Sequence, residues 1–157
     1  MMAKVLTPNT RIGGPGTTVE MDKAAFARSK GVRGSSRHYY WIVGGYLTNQ
    51  DKSQRQATFE RVARRDKSTL YGLIQRFVLP GTTIVTDHWK GFLGLDELGY
   101  KLEKVNNKKN EWTNENGFTR NHVEAFWGRL RRSLPVSGVP RWHHVGYFYR
   151  QVYLEQV

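Results

Sequence analysis

The chain has 157 residues, a length that predicts one domain with enough residues to bury a core. Cysteine is absent, which excludes disulfides, thiolate zinc sites and cysteine nucleophiles, so a bound metal would need oxygen or imidazole ligands. No apolar run reaches the roughly 18–20 residues that a membrane span requires, and the amino terminus lacks a signal-peptide stretch. We therefore expect no membrane association and no secretion, with the nucleus or the cytoplasm as the compartment.

The charge of the chain points to an anionic partner. Lys and Arg number 25 and Asp and Glu number 13, which leaves a formal net charge of +12. A field of that sign attracts polyanions, above all nucleic acid, and the attraction weakens as salt is added. The alternative is a basic protein without such a partner.

The first half of the chain is predicted to be rich in strands. Residues 1–16 are expected to form a loose lead-in, because glycine and proline cluster at its end. Alternating, aromatic and β-branched residues predict strands over 17–22, 38–47 and 57–63. The basic Gly/Ser-rich stretch 28–37 predicts a loop between the first two strands.

The second half is predicted to alternate helices with strands. Ser68 is expected to cap a helix that Pro80 and Gly81 end, and a buried strand over 82–86 stops at Asp87. The pattern then predicts, in order, a short helix over 89–98, a strand over 100–105, a polar loop over 106–116, a helix over 121–134 and a last helix over 142–154.

This order of elements predicts an α/β fold with a mixed five-stranded sheet. Three consecutive strands joined by short turns imply an antiparallel unit, and the two strands reached through helices should add in parallel. Helices would cover both faces of the sheet. By analogy this is the layout of the ribonuclease H fold, and residues 17–157 would form its single domain.

Three carboxylates stand where the predicted sheet would bring them together. Asp22 ends the first strand, Asp87 ends the neighbouring fourth strand, and Glu124 lies in the first turn of a helix expected to cross their carboxyl ends. Acids that converge in a basic protein repel one another unless cations lie between them, and oxygen ligands favour Mg²⁺ or Mn²⁺. Two such ions would activate a nucleophile and stabilise the leaving oxygen in phosphodiester cleavage or transfer.

Each acid also has an ordinary explanation. Asp87 is suited to cap the helix that follows it. Asn121 and Glu124 have capping-box spacing, so this pair would only anchor the start of a helix. Asp22 would be a solvated residue at a strand end, and Glu20 on the same face competes with it for any role. Spacing alone leaves these alternatives open.

One face of the helix over 121–134 carries polar groups at helical spacing, namely Asn121, Glu124, Gly128 and Arg131. Arg131 is two turns from Glu124, where it would hold a phosphate while the acid holds metal. Arg129 and Arg132 add positive charge nearby. The alternative is a solvated basic face on an amphipathic helix.

Four segments together resemble a known family, namely TVEMD, PGTTIVTDHWKGF, LGYKLEKVN and GFTRNHVEAFWGRLRRSLP. In order and spacing they are similar to the catalytic domain of Merlin-type DDE transposases and their ISXO-like bacterial insertion-sequence relatives. The match runs from about Ile12 to Pro135 and so covers most of the chain. The resemblance implies a ribonuclease H-like fold and metal-dependent DNA cleavage and strand transfer, with transposon ends and target DNA as partners.

Carried over position by position, the resemblance implies that Asp22, Asp87 and Glu124 are the catalytic acids and hold two Mg²⁺ or Mn²⁺ ions. Asn121 takes the place of the family's Asn before the Glu. Arg131 falls where the family has a Lys, which keeps the charge and changes the donor geometry. Active members are expected to work as homo-oligomers.

The chain also departs from the family pattern. Lys23 replaces the acid that usually follows the first Asp, and a cation beside a metal ligand is expected to weaken metal binding. Thr119 and Arg120 replace the usual His-Thr, and Phe92 replaces a Tyr, whereas Trp127 matches an aromatic position that we interpret as packing. No amino-terminal DNA-binding module is recognisable, so an isolated catalytic domain from a truncated gene copy is expected.

Candidate contacts to a DNA backbone lie in basic clusters, with solvated surfaces as the alternative. They are Arg28, Lys30, Arg33 and Arg37 of the predicted loop, Lys101, Lys104, Lys108 and Lys109 near the fifth strand, and Arg129, Arg131 and Arg132 of the late helix. His88 and His122 lie close in sequence to the acids, and we interpret both as hydrogen-bonding residues rather than as catalytic ones.

The leading hypothesis is therefore a DDE-type transposase catalytic domain. Its alternative is a catalytically inactive remnant that binds DNA through its basic faces, which Lys23 and the missing amino-terminal module favour. A third hypothesis is a basic structural protein of an RNA assembly, and the ordered triad of acids argues against it.

Overall fold

The computed structural model describes residues 11–27, 39–48, 56–87, 90–106, 113–134 and 141–156. Its strands within these ranges are β1, Ile12–Gly13; β2, Thr18–Ala27; β3, Tyr39–Thr48; β4, Gln56–Val62; β5, Val78–Leu79; β6, Thr83–Thr86; and β7, Lys101–Lys104. The α-helices are α1, Lys67–Phe77; α2, Asn121–Ser133; and α3, Arg141–Gln156. The strands and helices predicted from sequence are thus present, most of them within one or two residues of the predicted bounds.

Five strands form one mixed sheet in the order β4-β3-β2-β6-β7. β2, β3 and β4 pair in antiparallel register, whereas β6 adds to β2 and β7 adds to β6 in parallel. Parallel strands are joined by crossover connections. Helix α1 lies in the crossover that leads from β4, at one edge of the sheet, to β6 on the other side of β2. The prediction of a mixed five-stranded sheet in which the first and fourth strands are neighbours is confirmed.

Helices cover both faces of this sheet. Successive residues of a strand point to opposite sides, so each strand contributes side chains to both buried clusters. Val19 and Met21 of β2 pack into a buried cluster with α1, and Ala24 and Phe26 pack into a second cluster with α2 and α3. Helix α1 buries Leu70, Leu73, Ile74 and Phe77, and helix α2 buries Val123, Phe126, Trp127 and Leu130. Each helix therefore presents one apolar stripe to the sheet.

Helix α1 begins at a different cap from the predicted one. Asp66 is the N-cap, and its carboxylate accepts hydrogen bonds from the backbone N–H and the hydroxyl of Thr69, both at 2.9 Å. The prediction of Ser68 as the cap is wrong, since Ser68 already lies in the first turn. No helix within the described ranges is long and apolar enough to cross a membrane.

The short helix predicted over 89–98 is two separate turns of 3₁₀ helix, Lys90–Phe92 and Leu95–Leu98. Gly94 lies between them with φ at 90°, a left-handed conformation that ends the first turn. Gly99 closes the second turn in the same conformation, as its position in the sequence predicts. Residue 89 lies outside the described ranges.

Residues 11–16 belong to the fold, so the prediction of a loose lead-in is wrong for this part of it. Ile12 is buried, and β1 pairs in parallel with β5 at the end of α1. The backbone N–H of Gly14 donates to the Thr82 hydroxyl at 2.8 Å. Position 13 requires glycine, because a Cβ there would lie 2.4 Å from that hydroxyl oxygen. Residues 1–10 lie outside the described ranges.

Strand β2 extends five residues beyond the predicted strand over 17–22. In its added segment, Ala24 and Phe26 are buried and join the second apolar cluster, which includes residues of the two late helices. Asp22 therefore lies within the strand, and the prediction that Asp22 ends the strand is wrong. The predicted loop that follows, with Arg28, Lys30, Arg33 and Arg37, lies outside the described residues.

Candidate active site

Asp22 lies in β2, and Asp87 directly follows the parallel neighbour of β2, strand β6, as predicted. The register of the two strands pairs Glu20 with Val85, so each acid lies two residues beyond a paired position. Burial raises the pKa of Asp22, and the charge on Asp87 raises it further.

Asp22 is a buried carboxylate held by two donors. Its Oδ1 lies 3.0 Å from Nη2 of Arg120, and its Oδ2 accepts a hydrogen bond from Nε1 of Trp127 at 3.1 Å. Burial raises the pKa of Asp22 above its usual range, and the Arg120 guanidinium acts in the opposite direction. The interpretation of Trp127 as packing is therefore incomplete, because its indole also orients a candidate catalytic acid.

Gly44 provides the space for this indole. It pairs with Asp22 across β2 and β3, and a Cβ at position 44 would lie 2.6 Å from the ring of Trp127. Because such a contact is shorter than side chains tolerate, any larger residue at 44 would displace the ring. The glycine thus fixes the path by which Trp127 reaches Asp22.

Glu20 ties the amino terminus of α2 to the central strand. Its carboxylate is 1% exposed, accepts a hydrogen bond from the Val123 N–H at 2.8 Å, and contacts Nδ1 of His122 at 2.6 Å. Burial raises the pKa of Glu20, and the hydrogen bonds from Val123 and His122 lower it. The acid thereby satisfies one of the backbone donors that a helix leaves open at its start.

The alternative in which Asn121 and Glu124 form a capping box is wrong. The N-cap residue is Arg120, whose side chain makes no capping hydrogen bond, and Asn121 is the first residue of the helix. The acid that caps α2 is Glu20, from another element of the fold. Glu124 is therefore not consumed as a cap and lies one turn into the helix, close to Arg120.

Two cations pair with the three candidate acids. Nη2 of Arg120 lies 3.0 Å from Asp22 and 3.9 Å from Oε1 of Glu124, while Nζ of Lys23 lies 3.2 Å from Oδ2 of Asp87. The Arg120 and Asp22 side chains are 5% and 12% exposed, against 28% for Asp87 and 39% for Glu124. These five side chains form what we call the acid cluster, buried at Asp22 and open at Asp87 and Glu124.

The acid cluster has ligands of the type that Mg²⁺ and Mn²⁺ prefer, but its present arrangement does not fit an ion. Among the described residues, no three Asp, Glu or His side chains are grouped closely enough to hold a metal. Both oxygens of Asp22 accept hydrogen bonds from N–H groups, and the ammonium group of Lys23 pairs with the carboxylate of Asp87. Metal binding by these acids stays a prediction that requires the cations to move.

Two of the arginines predicted to contact DNA along α2 lie against aromatic rings of the second apolar cluster. The Arg131 guanidinium lies 5.0 Å from the centre of the Phe26 ring, and the Arg129 guanidinium lies 5.9 Å from that of Tyr46. Arg131 and Arg132 are exposed, so their charges face solvent. A role of these side chains in phosphate binding stays a prediction.

Other predicted contacts are only partly described. Lys101 is exposed and Lys104 half-buried on the edge strand β7. Lys108, Lys109 and His88 lie outside the described residues. Asn121, predicted to support the site, is exposed, and its backbone N–H donates to the hydroxyl of Thr119 at 3.1 Å.

Sequence reasoning misses the roles of Glu20 and Arg120. In the sequence, Glu20 stands out only as a competitor of Asp22, and Arg120 only as a departure from a family pattern. The available signal is the alternation of β2, which places Glu20 and Asp22 on the face that receives α2. An acid two residues before a candidate ligand on a buried face needs a partner, and the helix start provides it.

The fold and the site together define an α/β domain with an acid cluster at the junction of two parallel strands and a helix. The family model of the ISXO2-like transposase domain matches residues 13–157. The chain therefore belongs to the ISXO2-like transposase family. Searches of the curated proteins and of the solved structures gave no match.

Proposed function

We propose that this chain is a DDE-type catalytic domain that cleaves DNA strands and transfers their ends, with Asp22, Asp87 and Glu124 as the reacting acids. The observation that carries the proposal is that Arg120 lies between Asp22 and Glu124, while Lys23, the neighbour of Asp22 in β2, pairs with Asp87. Family membership supports transposase chemistry, and the geometry supports the choice of these three positions.

We also propose that the fold is ribonuclease H-like. Support comes from the strand order β4-β3-β2-β6-β7, with its antiparallel half and its parallel half, and from helices on both faces. In this arrangement Asp22 lies on β2, Asp87 directly follows β6, and Glu124 lies on α2, which packs on β2 and β3. A ribonuclease H-like fold would thus account for the proposal that residues so distant in sequence act together.

Each acid is positioned by a different part of the chain. Trp127 orients Asp22 through its indole N–H, and Glu20 fixes the first turn of α2, on which Glu124 lies. Asp87 directly follows β6, and its partly exposed carboxylate is held by the long side chain of Lys23. When bound to these acids, Mg²⁺ or Mn²⁺ would activate the attacking oxygen and stabilise the leaving one.

The DNA partner is supported by charge. The formal net charge of +12 favours a phosphate backbone, and the exposed Arg131 and Arg132 lie on the same helix as Glu124. The cleaved and target strands would then be held mainly through their phosphates rather than their bases. Joining transposon ends to a target requires more than one catalytic centre, and we propose a homo-oligomer as the active form.

The test is nicking of supercoiled DNA in the presence of Mg²⁺. Asp87→Asn is expected to abolish nicking, since it removes an acid of the cluster with little change in shape. Asp96→Asn is the matched control, because Asp96 is an exposed acid in a 3₁₀ turn and should keep wild-type activity.

Nicking by Asp87→Asn at the wild-type rate would overturn the assignment of the site. Salt-dependent DNA binding by the wild type without nicking at any Mg²⁺ or Mn²⁺ concentration would overturn the catalytic proposal and favour an inactive DNA-binding domain. Preference for folded RNA over DNA would favour the third hypothesis.

A further inference from the structure

We propose that Lys23 and Arg120 act as built-in counter-ions that hold the acid cluster closed to divalent cations, so that a metal binds only when both side chains have moved. This inference rests on the proposed function only for the choice of cation. It concerns how the cluster stays stable without a metal and which residues limit metal entry.

Arg120 occupies the position between Asp22 and Glu124 that a shared cation would need. Its Nη2 atom lies within 4 Å of a carboxylate oxygen of each acid, at 3.0 Å and 3.9 Å, and the side chain is 5% exposed. A guanidinium cannot lose its charge at any ordinary pH, so Arg120 neutralises the pair permanently. A divalent ion entering this position would be repelled for as long as Arg120 remains.

Lys23 holds the third acid from the other side of the sheet. Neighbouring residues of a strand point to opposite faces, so Lys23 and Asp22 leave β2 in opposite directions. Nζ of Lys23 is 3.2 Å from Oδ2 of Asp87, so the lysine neutralises the third acid and occupies one of the oxygens that a metal would need. The two cations together therefore neutralise all three acids.

Two features of Arg120 favour its release from the closed arrangement. The Nε atom of Arg120 is buried and has no hydrogen-bond partner among the described residues, so one donor of the guanidinium is unsatisfied in the closed arrangement. An unsatisfied buried donor opposes the state that buries it. Arg120 also lies at the N-cap and its side chain makes no capping hydrogen bond, so that side chain does not hold the start of α2.

Both positions are among those at which the sequence departs from the pattern of the family it resembles. Lys23 stands where an acid is usual and Arg120 where a threonine is usual, and both changes add positive charge beside a candidate ligand. The two residues pair with different acids of the acid cluster, and together they neutralise its negative charge without a metal ion.

The experiment measures Mn²⁺ affinity of the full chain by the electron paramagnetic resonance signal of free Mn²⁺. The variants are Lys23→Met, Arg120→Met and the double variant, because methionine keeps much of the length of the side chain and offers neither charge nor an oxygen ligand. Arg150→Met is the control, since it removes one positive charge from an exposed position on α3. We expect weak binding by the wild type and the control.

The double variant should bind Mn²⁺ tighter by on the order of ten- to a hundredfold, the range typical of changes beside metal ligands. Adding Asp22→Asn to it should remove the gain. Tight Mn²⁺ binding by the wild type, or equal affinities of the double variant and Arg150→Met, would overturn the inference.

Thermal unfolding covers the case in which a variant folds poorly. Mn²⁺ should leave the wild-type Tm unchanged and raise the Tm of the double variant, because an ion that binds only the folded state stabilises it. A Tm rise of several degrees in the wild type would overturn the inference.

The two proposals fail separately. If no variant gains Mn²⁺ affinity while nicking still depends on Asp87, the inference falls and the proposed function stands. If the variants bind Mn²⁺ but no form of the chain cleaves DNA, the proposed function falls and the inference stands.

Discussion

The two faces of the five-stranded sheet bury apolar clusters of similar make-up, yet they differ in the charge buried among the described residues. The face covered by α1 includes Leu70, Ile74 and Ile84, all fully buried, and its buried polar groups are threonines. The face covered by α2 and α3 buries Glu20, Asp22 and Arg120 beside aromatic rings.

Apolar and charged groups that are buried on the two faces contribute differently to the free energy of unfolding. Apolar burial contributes about 25 cal/mol per Å², whichever face it occurs on. A buried carboxylate or guanidinium costs desolvation that its partners offset only in part, so it is weak ground for stability. Both faces therefore contribute stability through apolar burial, whereas the charges buried on the α2 face are weak evidence for a stabilising role.

The largest expected effect tests whether the apolar parts of the two faces are equivalent. Leu70→Ala on α1 and Leu130→Ala on α2 remove the same group from fully buried sites, and each should lower the free energy of unfolding by about 3 kcal/mol. Urea unfolding at pH 7 measures both. A loss from Leu130→Ala several-fold smaller than from Leu70→Ala would show that α2 is loosely packed and would undermine its role in fixing the site.

A smaller effect is expected from Gly44→Ala, which disturbs only the charged face. The added methyl group would meet the Trp127 ring at 2.6 Å and displace the indole that donates to Asp22. Overpacking of this kind costs about 2 kcal/mol. Nicking should fall with stability, and the near-ultraviolet circular dichroism of the tryptophan should change.

Gly72→Ala is the matched control for this substitution. Gly72 lies in α1, where an added methyl group would meet no atom of the described residues within 4 Å, and alanine favours a helix by about 1 kcal/mol over glycine. The control should thus gain stability and keep activity. Equal effects of the two substitutions would contradict the proposed contact between Gly44 and Trp127.

Local patterns in the sequence predict much of the fold. The alternation of β2, the apolar stripe of α2 and the run 82–86 ending at Asp87 each depend on residues close together in the chain. The resemblance to a family then selects Asp22, Asp87 and Glu124 from the 13 acids.

The partners of those acids cannot be predicted in the same way. The bond between Glu20 and Val123 joins residues 103 apart, and the bond between Asp22 and Trp127 joins residues 105 apart. Such pairs depend on the register of strands and on how a helix crosses them, which no local pattern records. The Asn121–Glu124 spacing even favours a local cap, and that interpretation is wrong because a buried carboxylate from β2 occupies the helix start.

The smallest expected effect concerns the pH dependence that this long-range cap introduces. Burial raises the folded-state pKa of Glu20 above its unfolded value, so the folded chain holds the proton more tightly. The stability that this proton contributes is fully present below the unfolded pKa, near pH 4, and is lost as the pH rises through the folded-state pKa. Asp22 contributes in the same direction, because burial raises its pKa as well.

Glu20→Gln should therefore flatten this dependence without removing it. Glutamine keeps one carbonyl acceptor for Val123 or His122 but replaces the hydroxyl of the neutral carboxyl group by an NH₂ group, which cannot accept, so the variant should lose about 1 kcal/mol near pH 4. Urea unfolding between pH 4 and pH 7 should show this deficit shrink as the pH rises, because the wild type alone carries the Glu20 charge. A deficit that grows toward pH 7 would mean that ionised Glu20 stabilises the fold, and that the charged cap of α2 contributes to stability rather than only to the position of Glu124.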